Sequence, residues 1–208
     1  MIVVKRIENN PIKSNCYIIH IIGERYAIII DPGSYELTPI ENYIKDNCLI
    51  PELIILTHEH FDHIWGVEQL RSTYGCKLVA SNECSDAIVE PKKNLSLFYD
   101  QVGVYCSKAD IVFTEELHTV LWHDLIIELY KTPGHSKGSI CILLGRFLFT
   151  GDSLLKNDKT ITKLPGGNKD QLNESIKLIY SLQHMFDKIF PGHNEEFILE
   201  ESNLNQLV

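Results

Sequence analysis

Short apolar runs that end at polar turns recur along the chain and predict β-strands. Residues 17–30 hold two isoleucine-rich runs on either side of Gly23-Glu24, which is the pattern of a β-hairpin. Asp31-Pro32-Gly33 then ends the second strand. Further short strands are predicted at 53–57, 77–80, 125–129, 139–144, 147–150 and 188–190.

Apolar residues at helical spacing separate several of these strands. A helix is predicted around 40–44, with Thr38 as its N-cap and Pro39 as its first residue. A second helix covers 64–74 and stops at Gly75, and a third covers 172–182. Strands and hairpins that alternate with helices favour an α/β layered domain over a helical bundle or a pure barrel.

The domain organisation predicted from the sequence is simple. Residues 82–110 mix polar, aromatic and helical fragments, so a loop or helical excursion is expected there. No linker, low-complexity tract or internal repeat divides the chain, and a single domain over 1–208 is therefore expected.

Composition and charge narrow the expected partners. The 208 residues carry a formal net charge of -9, and no Lys/Arg cluster supplies the basic face that nucleic-acid enzymes use. No apolar run approaches the length of a membrane span, and the six scattered cysteines form no CxxC pair. We expect a cytoplasmic monomer or homodimer whose cysteines are reduced thiols. Its expected partner is a small-molecule substrate, and we expect it to bind neither a nucleic acid nor a membrane.

Four side chains of metal-ligand type follow the strand predicted at 53–57. They are His58, His60, Asp62 and His63, and they fall within six residues. His58 and His60 point the same way if the strand end stays extended, whereas Asp62 and His63 fall where the chain turns and can face a second metal. The HExxH pattern of zinc proteases is not met, because position 62 is an aspartate. Alone, this cluster fits a metal site and a solvated polar loop equally well.

Three more strand ends carry a side chain of the same kind. These are His135 within TPGHS, Asp152 within TGDS, and His193 within PGH. A glycine precedes each one and lets the backbone approach a crowded centre closely. Four strand ends that all present ligands favour one metal centre at the rim of a rigid scaffold over four unrelated surface residues.

The ordered motifs resemble those of the metallo-β-lactamase superfamily over nearly the whole chain. They are THEHFDH at 57–63, TPGHS at 132–136, TGDS at 150–153 and PGH at 191–193. The run TKLPGG at 162–167 is similar to the glyoxalase II-type branch, although Ile161 and Lys163 replace the arginine and acidic residue of that branch. Since 15 residues follow His193, we expect a short form without the C-terminal helical domain that binds glutathione.

The resemblance implies a fold and a ligand set. The fold is a four-layer αβ/βα sandwich of two mixed β-sheets flanked by helices. One metal would take His58, His60 and His135, the other Asp62, His63 and His193, and Asp152 would bridge them. These donors suit two divalent ions, zinc first, with iron and manganese as alternatives. A water between two cations loses a proton near neutral pH and becomes the nucleophile, which Asp62 is expected to orient.

The expected activity is hydrolysis of a carbonyl ester, with a thioester of the hydroxyacylglutathione kind first. A lactonase needs the same activated water, and a persulfide dioxygenase with one iron is an alternative of another class. A metal site without catalytic function is disfavoured because the ligand set is complete. Asp31 has two open interpretations, since it can hold a ligand imidazole or cap the turn before Pro32-Gly33.

Overall fold

Eleven strands form two β-sheets in the computed structural model, which describes residues 1–199. The first six are β1 (Ile2–Glu8), β2 (Asn15–Ile21), β3 (Tyr26–Ile30), β4 (Ile50–Ile55), β5 (Lys77–Ser81) and β6 (Ile111–Phe113). The others are β7 (Leu117–Trp122), β8 (Leu125–Lys131), β9 (Ile140–Leu144), β10 (Phe147–Gly151) and β11 (Lys188–Pro191). The sheet orders are β1-β2-β3-β4-β5-β6 and β11-β10-β9-β8-β7. Both sheets are mixed, since β3 to β6 run parallel in one and β10 and β11 run parallel in the other.

Within residues 1–199, six helices cover the outer faces of the sheets or connect the strands. They are α1 (Thr38–Asp46), α2 (Phe61–Ile64), α3 (Val67–Tyr74), α4 (Asn82–Ala87), α5 (Ser96–Tyr99) and α6 (Lys169–Ser181). Apolar residues of α1, α3 and α4 pack on one face of the first sheet, and those of α6 pack on one face of the second. A third apolar cluster fills the space between the sheets. The expected four-layer αβ/βα sandwich is confirmed.

Burial on both faces explains why the central strands are almost entirely apolar. Along β2, Ile18 packs in the cluster beneath the helices, whereas Ile19 packs in the cluster between the sheets. Successive side chains of a strand point to opposite faces, so a strand covered on both sides needs apolar residues at every position.

Several predicted boundaries were wrong. Thr38 is the first helical residue of α1, and the N-cap is Leu37. Leu37 has αR backbone angles, and no side chain caps this end of the helix by a hydrogen bond. The segment predicted as one helix at 64–74 belongs to two helices, α2 and α3, because the helical backbone is interrupted at Gly66. The Gly66 N–H donates to the Pro32 carbonyl at 2.8 Å. Gly75 does end α3, in the left-handed conformation.

Among residues 1–199, no helix is both long and apolar enough to cross a membrane.

Candidate metal centre

The strand ends bring all seven expected ligand residues to one rim of the sandwich. His58 and His60 follow β4, Asp62 and His63 lie in α2, His135 lies between β8 and β9, and Asp152 and His193 follow β10 and β11. Because β10 and β11 are parallel neighbours, their carboxyl ends meet at the same edge. His58, His60, His63, His135 and Asp152 are buried, and Asp62 and His193 are half-buried.

Across residues 1–199, three groups of three donors form around this rim; one joins Asp31 to His58 and His63, and the other two hold only expected ligand residues. In the first of these two, ring nitrogens of His58, His60 and His135 all lie within 4.8 Å of one another. His60 Nδ1 and His135 Nε2 are 2.9 Å apart. In the second, donor atoms of Asp62, His63 and His193 meet the same limit. The side chains of each implied ligand set therefore lie together, and their assignment to two metals stays a prediction.

Asp152 lies between the two groups. Its Oδ2 is 3.5 Å from His135 Nε2 and 3.4 Å from His193 Nε2. Its Oδ1 is 3.7 Å from His63 Nε2. One carboxylate therefore faces imidazoles of both groups, which is the placement that a bridging ligand requires.

Four buried polar atoms of the centre have no hydrogen-bond partner in the described part of the chain. They are His58 Nε2, His60 Nε2, His63 Nε2 and Asp152 Oδ1. A buried polar atom without a partner costs about 1–3 kcal/mol, so native proteins rarely retain several together. Imidazole nitrogens and carboxylate oxygens are donors that divalent transition metals bind, so a metal ion is a fitting partner for this set.

Asp31 and Thr57 orient two of the imidazoles. Thr57 donates to Asp31 from its backbone N–H, at 2.8 Å, and from its hydroxyl. The hydroxyl oxygen, 3.0 Å from His58 Nδ1, therefore accepts a bond from that ring, and Asp31 Oδ2 accepts one from His63 Nδ1 at 2.9 Å. Both rings keep the proton on Nδ1 and present the Nε2 lone pair to the centre. Of the two interpretations of Asp31, the first is confirmed.

Backbone carbonyls orient two further imidazoles in the same way. His135 Nδ1 lies 2.8 Å from the Ile161 carbonyl, and His193 Nδ1 lies 3.0 Å from the Lys13 carbonyl. A carbonyl only accepts, so each Nδ1 carries the proton and each Nε2 faces inward. Four rings are thus held in one orientation by partners outside the centre.

The charges of the centre shift the pKa values of its members in opposite directions. Burial and the neighbouring His135 lower the pKa of His60 to about 3, although nearby carboxylates oppose them. Burial also lowers the pKa of His193, but the carboxylates of Asp152 and Asp62 outweigh it and raise that pKa to about 11. For Asp152, burial raises the pKa, but His193 and the other imidazoles hold it well below its usual range. Asp152 is therefore an anion in the metal-free protein.

Two side chains outside the seven expected ligand residues support the ligand loops. Glu59 is buried, and its Oε2 accepts a bond of 2.8 Å from the Ser136 hydroxyl, so it ties the loop after β4 to the loop after β8. Ser14 donates to the backbone carbonyl of Asp62. For Glu59 the only signal was an acidic residue between two histidines, and for Ser14 the sequence held none.

The fold and this set of donors define a metal-binding αβ/βα sandwich, and the comparisons with known proteins give its family. The sequence model of the metallo-beta-lactamase superfamily matches residues 9–193, and the chain belongs to that superfamily. The chain is 31% identical over 208 residues to YqgX of Bacillus subtilis, a probable metallo-hydrolase, which covers 97% of this chain and 95% of YqgX.

Two further proteins are similar to this chain, one in structure and one in sequence. The crystal structure of the BLEG-1 B3 metallo-beta-lactamase superposes with a TM-score of 0.85 at 27% identity and covers 94% of each chain. The hydroxyacylglutathione hydrolase of Pectobacterium atrosepticum is 31% identical over 156 residues, which are 75% of this chain and 53% of that enzyme. The superfamily and these relatives make the chain a metal-dependent hydrolase.

Proposed function

We propose that the chain hydrolyses a carbonyl ester, with a thioester as the first choice, at a centre of two divalent metals. One observation carries this proposal: four imidazoles have Nδ1 tied to an oxygen acceptor and turn Nε2 toward one small space, where Asp152 faces both groups of donors. His58, His60 and His135 would hold one ion, Asp62, His63 and His193 the other, and Asp152 would bridge them. We propose zinc first, with iron and manganese as alternatives, because these donors suit all three.

The residues around the proposed ions prepare the site for hydrolysis. When bound, the ions supply Lewis acidity at the carbonyl oxygen and lower the pKa of a coordinated water. Asp62 and Asp152 partly offset the charge of two divalent ions. Asp62 is proposed to orient the attacking water, and the bond from Ser14 to the Asp62 backbone carbonyl fixes the position of that residue.

Two observations favour a thioester among the possible substrates. The chain is similar to a hydroxyacylglutathione hydrolase, and its TKLPGG run resembles that branch. A thiolate, whose conjugate acid has a pKa of about 8.5, leaves more easily without a proton donor than an alkoxide does. A lactone is the second candidate, since its ring ester requires the same water and the same oxyanion stabilisation.

Metal analysis followed by a substrate panel tests this proposal. Purified protein should contain two transition-metal ions per chain and hydrolyse members of a panel of small thioesters, lactones and a β-lactam. Asp152→Asn and His58→Ala should abolish that turnover, whereas His184→Ala, a change at an exposed histidine, should leave it intact. Turnover that survives in Asp152→Asn would overturn the proposed mechanism, as would one iron per chain with sulfite production from a persulfide.

A further inference from the structure

An apolar groove of about 420 Å³ opens beside the proposed metal centre. Its lining residues are Phe61, Leu95, Phe98, Tyr99, Leu164 and Pro165. Phe98 is 70% exposed, and Tyr99 is also exposed, so water contacts a cluster of aromatic surface. Clustered apolar surface of this kind marks binding sites more often than ordinary protein surface.

One wall of the groove is joined directly to the ligand loop. Phe61 lies between His60 and Asp62 in the chain, and its backbone N–H donates to the Asn94 carbonyl at 2.9 Å. Its ring also packs against Tyr99, with centroids 5.0 Å apart. The segment that carries Phe98 and Tyr99 is therefore anchored to the same turn that presents Asp62 and His63.

A buried polar network holds this wall in shape. The Asn94 side-chain amide donates to the carbonyls of Ile88 and Val104, at 3.2 and 2.8 Å, and its oxygen accepts a bond of 2.7 Å from the Ser96 hydroxyl. The Ser96 hydroxyl oxygen in turn accepts from the Val104 N–H at 2.7 Å. Both ends of the 88–104 segment are thus tied to one side chain, which pre-organises the groove before a ligand arrives.

The opposite wall is joined to the other group of donors. Leu164 and Pro165 follow Ile161, whose carbonyl accepts the bond from His135 Nδ1. The groove therefore lies between two segments, one of which contacts Phe61 in the ligand loop and the other the proposed ligand His135. Among the described residues, none of those that line the groove is charged.

We propose that this groove binds an apolar acyl group attached to the carbonyl that the centre attacks. The polar carbonyl would face the imidazoles and carboxylates, and the hydrocarbon part would lie against Phe61, Phe98 and Leu164. The substrates are then thioesters or esters of aliphatic or aromatic acids, because hydrocarbon that leaves water for an apolar wall is stabilised there. The reaction rests on the proposed hydrolase function, whereas the binding of the apolar group does not.

A series of acyl thioesters that share one small thiol tests the groove by turnover. From acetyl to butanoyl to hexanoyl, kcat/KM of the metal-loaded protein should rise by about threefold to fourfold for each methylene that the groove buries. Phe98→Ser should flatten this rise, mainly through KM. The control is Leu121→Ser, which removes an apolar side chain of similar exposure (74%) on β7, outside the groove. This variant should leave the rise in kcat/KM unchanged. A flat series in the unaltered protein, or an unchanged rise in Phe98→Ser, would overturn the proposal.

A binding measurement separates failure of the groove from failure of the hydrolase proposal. Two ketone analogues, one with an acetyl and one with a hexanoyl chain, carry a CH₂ group in place of the thioester sulfur. Each is titrated into the protein in a calorimeter. The hexanoyl analogue should bind more tightly, by the same factor per methylene, and Phe98→Ser should remove the difference. If this holds while no thioester is hydrolysed, the hydrolase proposal fails and the groove stands. Equal binding of the two analogues would overturn the inference. A dimer that dissociates in Phe98→Ser, while the ratio of the two binding constants stays unchanged, would assign the groove to a contact between protein copies and overturn it too.

Discussion

Asp31 holds His63 by a bond of 2.9 Å from Nδ1 and holds His58 indirectly, through the hydroxyl of Thr57. Asp31 and His63 are 32 residues apart in the chain, and both are buried. One carboxylate outside the two groups of donors therefore sets the tautomer of an imidazole in each of them.

This relationship predicts that Asp31→Asn weakens metal binding. Asparagine keeps the size of the side chain and tolerates the positive φ of 50° at this position, but its amide cannot accept all the bonds that the carboxylate accepts. Loss of such a partner lowers metal affinity by about 10–100-fold, which a competition titration with a chelator measures. Asp187→Asn, at an exposed aspartate paired with Arg146, is the matched control and should keep the original affinity. Equal affinity in both variants would contradict the prediction.

Gly192→Ala should disrupt the metal centre with only a small change in sequence. A Cβ at this position would lie 2.1 Å from Asp152 Oδ1 and 3.0 Å from a His63 ring carbon, so Asp152 has to move. We expect bound metal and turnover to fall together, as measured by elemental analysis and assay on the same preparation.

The control for this substitution is Gly23→Ala, at a turn where a Cβ meets nothing within 4 Å but φ is +87°. The control should lose about 1–2 kcal/mol of stability from backbone strain and keep its metal. If Gly192→Ala also keeps its metal, then Asp152 does not need the position that the structure gives it.

The stabilisation that metal provides should grow as pH rises. In the metal-free protein the pKa of His193 is raised from 6.5 to about 11, so its contribution to stability is complete below pH 6.5 and is lost as pH rises toward 11. The pKa of Asp152 is lowered, so its contribution is present above pH 3.8 and is lost as pH falls below that value. A metal that binds His193 has to displace its proton, which becomes easier by about 1.4 kcal/mol per pH unit.

Thermal unfolding with and without zinc, measured between pH 6 and pH 9, checks this sign. The difference in Tm between the two forms should widen with pH, and His193→Gln should reduce the slope. A difference that stays constant across the range would show that His193 releases no proton when metal binds.

Asn94→Ala should destabilise the wall of the groove. The substitution leaves the carbonyls of Ile88 and Val104 and the hydroxyl of Ser96 without their buried partner. We expect a loss of about 1–3 kcal/mol in the free energy of unfolding, measured by urea denaturation, and faster proteolysis within 88–104. Asn47→Ala removes an exposed bond to the Tyr43 carbonyl and should change stability by less than about 0.5 kcal/mol. Equal stability of the two variants would rule out a supporting function for Asn94.

The central strands of both sheets were predicted, whereas three strands at the sheet edges were not. The β2–β3 hairpin and the strands before His58 and Asp152 were predicted because dense apolar runs ended at polar turns. Three strands, β1, β6 and β7, were not predicted. In β7, exposed and half-buried positions alternate at the edge of the second sheet, so it lacks the dense apolar run that revealed the central strands.

The sequence by itself determined which residue types stand at the strand ends, and hence the class of centre that His58, His60, Asp152 and their partners form. Those residues follow strands whose apolar patterns are local and therefore readable. Only the tertiary structure decided which nitrogen of each imidazole faces inward, because the partners of His63 and His135 lie 32 and 26 residues away. It also decided that an apolar groove adjoins the centre, because the two walls, 94–99 and 161–165, meet only after both sheets have packed.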